Sequence, residues 1–102
     1  MRGSTMIRRG KGRRETVLES RAVKWARTRG VVVAKLTECA GIPDRIFFLP
    51  KRPLIVEFKK RGEEPEVLQN WYLSALLDRG YTVGWCDEWE GFLAIMRKRG
   101  VE

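Results

Sequence analysis

Gly41-Ile42-Pro43-Asp44-Arg45-Ile46-Phe47-Phe48-Leu49-Pro50-Lys51-Arg52-Pro53-Leu54-Ile55-Val56-Glu57-Phe58-Lys59 is the stretch on which the reading of this chain turns. Arg45 to Leu49 and Leu54 to Phe58 are rich in β-branched, aromatic and leucine side chains. Pro50-Lys51-Arg52-Pro53 between them is turn chemistry, so the stretch predicts a β-hairpin. Symmetric closure on that turn sets Asp44 opposite Lys59. Side chains alternate faces along a strand, so Glu57 and Lys59 share a face and Glu57 lies diagonal to Asp44 on it. Two carboxylates and a lysine are therefore expected to meet at the open end of the hairpin.

The flanking sequence supplies the other elements. Val17, Leu18, Ala22, Trp25 and Ala26 recur at helical spacing in a helix expected from about Glu15 until Gly30 stops it. The valine run makes Val31 to Leu36 a buried strand. Gly62-Glu63-Glu64-Pro65 opens a second helix to Arg79, with Pro65 suited to its first turn and Gly80 to its end. Tyr81 to Trp85 reads as a short strand, and Asp87 as the cap of a last helix to about Lys98. The fold class is α/β, in the order α-β-β-β-α-β with an added C-terminal helix.

Oxygens from Asp44 and Glu57, joined by the Phe58 backbone carbonyl, suit a hard cation such as Mg²⁺ or Mn²⁺, which binds through one or two carboxylates, waters and substrate phosphate. Lys59 beside it can deprotonate or position an attacking water, or neutralise charge on a phosphoryl group. Taken singly these signals are weak, since Pro-Asp is a common turn dipeptide and Glu-x-Lys is usually a solvated strand face. Taken in order, Gly41-Ile42-Pro43-Asp44-Arg45, Val56-Glu57-Phe58-Lys59 and Gln69 resemble the PD-(D/E)XK nuclease superfamily, and within it the VRR-Nuc branch. The resemblance covers most of the chain, from Glu15 to Trp85, and implies a restriction-endonuclease-like core.

The resemblance also assigns roles. Asp44, Glu57 and Phe58 hold the metal and Lys59 stands next to the nucleophile. Glu19 on the first helix reaches the metal directly or through water, and Gln69 orients water or phosphate near the lysine. Glu15, one turn from Glu19, is the rival on the same face, and both glutamates also suit the positive end of a helix. Lys35, on the strand before the hairpin, either contacts the scissile phosphate or snorkels from a strand end.

Composition points the same way. A chain of 102 residues is long enough for one core and too short for two. The net charge is +8, but six of the 21 basic residues precede Glu15 with no acid among them, leaving 15 against 13 in the body. Residues 1–14 thus read as a basic arm, with Arg8, Arg9, Lys11, Arg13 and Arg14 placed to contact phosphates in a salt-sensitive, sequence-independent way. Met1-Arg2-Gly3-Ser4-Thr5 resembles an expression-vector scar, and residues 15–99 read as the nuclease domain.

The absence of histidine removes Ser-His-Asp triads, histidine bases and histidine-ligated metals. Cys39 and Cys86 lie far apart with no CxxC spacing, which argues for free thiols. No apolar run approaches membrane length and no signal-peptide core follows the basic start. A reducing cytoplasm is expected, that of a bacterial host if the chain is viral. The four tryptophans are expected in core packing or a partner interface rather than stacked on bases.

The second helix carries Leu68, Trp71, Tyr72, Ala75 and Leu76 on one side and Leu73 and Leu77 on another, so it needs two covers. The sheet is one, and a second copy of the chain is the expected other. The resemblance implies a Mg²⁺- or Mn²⁺-dependent structure-selective DNA endonuclease acting on four-way (Holliday) junctions or other branched DNA, and with the second cover of that helix the expectation is a homodimer. The alternatives are a non-catalytic DNA-binding module with a nuclease fold and a small basic protein whose partner is another protein in a recombination or packaging assembly.

Overall fold

In the computed structural model, which describes residues 15–102, seven elements follow in the expected order. They are α1 (Val17–Thr28), β1 (Val32–Lys35), β2 (Arg45–Phe48), β3 (Leu54–Phe58), α2 (Val67–Asp78), β4 (Thr82–Cys86) and α3 (Trp89–Lys98). The basic arm lies outside the described residues. The strands form one sheet in the order β1-β2-β3-β4; the first two pairings are antiparallel, and β3 with β4, joined through α2, is parallel.

Alternation divides the sheet into two faces. Val33, Phe47, Leu54, Val56 and Phe58 join Ala22, Val23 and Ala26 of α1 and Phe92 and Met96 of α3 in one buried cluster. Phe47, Phe58 and Phe92 form its centre, with ring centroids 5.7 to 6.4 Å apart. On the other face lie Ile55, Glu57 and Lys59, and α2 covers that end of the sheet, with Leu73 buried beneath it. Trp25 and Trp89 pack on Phe92, as expected of core tryptophans, whereas Trp71 and Trp85 are exposed. Both cysteines are free thiols.

Three details differ from the sequence reading. Thr16 caps α1, its Oγ1 accepting from the Glu19 N–H at 2.9 Å, so the helix starts at Val17 rather than Glu15. In α2 the cap is Glu66, paired reciprocally with Gln69, which leaves Pro65 outside the first turn. Asp87 does not cap α3, whose cap is Glu88; the Asp87 carboxylate instead accepts from the Gly62 N–H at 2.9 Å.

The hairpin register is a fourth correction. Symmetric closure would pair Leu49 with Leu54, but Leu54 pairs with Phe47, a slip of two residues. Extended by one position, this register sets Phe48 opposite Pro53, which has no N–H to give, so the ladder ends. Leu49 folds back to donate to the Phe47 carbonyl at 3.0 Å and drops into the core, and Lys51 takes φ 77° to close the loop. A two-residue slip preserves every face. It does change partners, so Glu57 rather than Lys59 stands opposite Asp44.

Candidate active site

The open end of the hairpin gathers the residues singled out in the sequence. Pro43 follows the register to a place opposite Phe58, and there the ladder changes character: the Asp44 carboxylate, not a backbone carbonyl, accepts the Phe58 N–H at 2.9 Å. Asp44 thus turns its side chain in towards the strand that carries Glu57. A strand residue sends its N–H and C=O to the same edge, so the Phe58 carbonyl faces the same way. Asp44, Glu57 and Lys59 are 5%, 1% and 8% exposed, a burial such groups tolerate only when partnered.

Lys59 lies one residue past β3 but stays extended, because its N–H continues the parallel ladder to the Cys86 carbonyl at 2.9 Å. It therefore keeps to the face of Glu57. Its Nζ donates to Gln69 Oε1 at 3.1 Å, and the same oxygen accepts from the Glu66 N–H at 2.8 Å. Gln69 is at once part of the helix cap and the anchor of the lysine. A cleft of about 800 Å³ opens beside Lys59, walled by Thr16, by Val17 and Leu18 of α1 and by Lys60, Arg61 and Glu63.

Glu19 lies apart from this group. It is 2% exposed, and Arg45 Nε donates to its Oε2 at 2.7 Å. Burial pushes its carboxyl up, the Arg45 hydrogen bond opposes that, and the charge of Asp44 adds to the rise, so the two acids lie within electrostatic reach. Glu15 meets Arg45 Nη2 at 3.0 Å and Lys35 at 3.8 Å, and a hydrogen bond from Ser20 leads in holding its carboxyl below the usual range. Lys35 thus reaches towards Glu15 from a half-exposed position. Arg8, Arg9, Lys11, Arg13 and Arg14 lie outside the described residues.

The sequence reading did not foresee that Arg45 is buried and paired with two acids. The signal was present: positions 45, 47 and 49 alternate onto the core face, and two of the three are apolar. A charge at such a position needs a buried partner.

Asp44, Glu57 and the Phe58 carbonyl make an all-oxygen donor set of the kind that a hard divalent cation takes, and in that respect they fit Mg²⁺ or Mn²⁺. Among the described residues no group of three or more carboxylate, thiol or imidazole side chains is gathered closely enough to hold a metal unaided. Water and substrate oxygens would complete such a shell.

No family model matches the sequence, and no curated protein matches it. A solved structure described as "VRR_NUC domain" is similar to this chain with a TM-score of 0.66 at 24% identity, covering 80% of this chain and 97% of that one. The chain therefore shares the α/β fold of that domain, as its motifs led one to expect.

Proposed function

We propose that this chain is a metal-dependent, structure-selective DNA endonuclease of the VRR-Nuc type, cutting phosphodiester bonds in four-way junctions or other branched DNA. The observation that carries the reading is the gathering of Asp44, Glu57 and Lys59 at one end of β3, with Lys59 held on α2 by Gln69. The fold shared with the VRR_NUC domain supports it.

Each residue has a task in that chemistry. Asp44, Glu57 and the Phe58 carbonyl would hold Mg²⁺ or Mn²⁺. When bound, the cation supplies Lewis acidity towards a phosphoryl oxygen and acidifies a coordinated water. Asp44 is kept in place by the Phe58 N–H, so it meets the cation without reordering. Lys59, with one hydrogen committed to Gln69, has others to offer to the attacking water or a non-bridging phosphate oxygen. Lys60 and Arg61 line the adjoining cleft and can meet neighbouring phosphates, contacts that position the duplex without reading bases. The basic arm adds further phosphate affinity.

A domain of this size has one site, and a two-fold dimer would present two cuts to a two-fold substrate. The side of α2 that carries Leu68 and Trp71 supports such a partner, since these are 49% and 60% exposed. The test is cleavage of matched fluorescent four-way junction, flap, duplex and single-stranded DNAs with Mg²⁺, Mn²⁺ or chelator. Metal-requiring, paired cuts in the branched substrates are expected. Salt-sensitive binding without cutting under every metal condition would make the chain a binding module instead.

A further inference from the structure

The chain leaves β3 through Lys59 and turns at once. Lys60 to Glu63 form a β-turn in which the Glu63 N–H donates to the Lys60 carbonyl at 2.9 Å and Gly62 has φ +86°. A turn with positive φ at its third residue wants glycine there, and it closes on the N–H of its fourth, so the N–H of the third is left over. In this chain that N–H is taken from outside the turn. The carboxylate of Asp87, on the loop between β4 and α3, accepts it at 2.9 Å, and an ionised acceptor makes such a bond a strong one. Three residues earlier the Lys59 N–H donates to the Cys86 carbonyl, so Lys59 and the turn are fastened to two consecutive residues of the neighbouring segment.

Lys59, Lys60 and Arg61 are consecutive cations on the wall of the cleft, and Asp87 lines the same cleft. Arg61 Nη2 also lies 3.8 Å from Glu88, but both side chains are exposed, and a pair of that kind contributes little to holding the turn. We propose that Asp87 is a positioning residue for the DNA substrate: by holding the Gly62 N–H it sets the turn so that Lys60 and Arg61 face the phosphates beside the scissile one. The inference rests on the reading of the cleft as a phosphodiester site given above. By its charge alone Asp87 would repel a phosphate there, so the two possible effects of this carboxylate have opposite signs in a binding experiment.

The experiment is fluorescence anisotropy on a labelled four-way junction, with the full chain and with chelator present so that no strand is cut, over a series of salt concentrations. Far-UV circular dichroism verifies folding. Asp87→Ala releases the turn. It is expected to weaken binding by about 3- to 10-fold and to make the slope of log affinity against log salt shallower by about 1–2, the mark of one or two lost phosphate contacts. Asp87→Asn keeps an acceptor for the Gly62 N–H and removes the charge, and is expected to bind at least as tightly as the parent, with the parent's slope.

Tighter binding by folded Asp87→Ala would overturn the inference, since that is the signature of a repelling charge, and so would unchanged binding, the signature of a tether that serves stability only. An equal loss in Asp87→Asn would overturn it as well, because the acceptor is then not what matters. If Asp87→Ala does not fold, Gly62→Val takes its place. A Cβ at Gly62 meets nothing within 4 Å, so the substitution acts through φ, which a β-branched residue resists. The same weakening and shallower slope are expected, and parent-like values would overturn the inference. Parent protein that does not bind the junction would overturn the DNA reading and this inference together, whereas tight binding that is indifferent to Asp87 would overturn this inference alone.

Discussion

Asp44 serves backbone and site at once, and substitutions separate the two. Asparagine keeps an acceptor for the Phe58 N–H and removes the charge, whereas alanine leaves that buried donor bare. Thermal denaturation should show Asp44→Asn within about 1 kcal/mol of the parent and Asp44→Ala destabilised by about 1–3 kcal/mol, while both lose metal-dependent cleavage. Cys86 gives a prediction of a different kind. Burial, then the charges of Asp87 and Asp44, push its thiol from an ordinary 9.0 up to about 12. Between those values the unfolded chain has released a proton that the folded chain keeps, so stability falls as pH rises. Urea midpoints taken at about pH 8 and about pH 10.5 should show a smaller alkaline loss in Cys86→Ala than in the parent. The gathering of Asp44, Glu57 and Lys59 was legible from alternation along the hairpin, and Gln69 only from the resemblance. The Arg45 ion pairs were not, because they depend on how α1 lies across β2, which no local spacing encodes.

At the scale of elements, strand and helix order followed from apolar periodicity and from glycine and proline punctuation. The hairpin register did not, because closure was decided by the missing N–H of Pro53 and the inward turn of Leu49 rather than by symmetry about the prolines. The caps were misplaced for a related reason. Several acids and hydroxyls stand near each helix start, and tertiary partners such as Gly62 for Asp87 decide which one caps. Helix α2 links the site to the loop before Asp44: Gln69 holds Lys59, and Leu68 lies over Gly41. Gly41 has φ +86°, and a Cβ there would come within 2.5 Å of the Leu68 side chain. Gly41→Ala should therefore push α2 off the loop. A destabilisation of about 1–3 kcal/mol is expected from urea midpoints, with cleavage lowered as Gln69 shifts.

At the scale of the molecule, the exposed apolar side of α2 is a feature that the core does not use. If α2 is the dimer seam, Trp71→Glu places a charge in it, and light scattering should report a monomer where the parent is a dimer; a monomeric parent would remove the dimer from the account. Paired cutting of a junction should fall with it, while single-strand nicking persists. In the proposed function a buried lysine beside two carboxylates serves phosphodiester hydrolysis. The measurement that tests it most directly sets parent and Lys59→Ala side by side on one four-way junction with Mn²⁺, recording cleavage rate and DNA affinity. Cleavage is expected to fall by about 100-fold or more with affinity within about threefold, since Lys59 would be one phosphate contact among many. Lys59→Ala cutting at the parent's rate would contradict it.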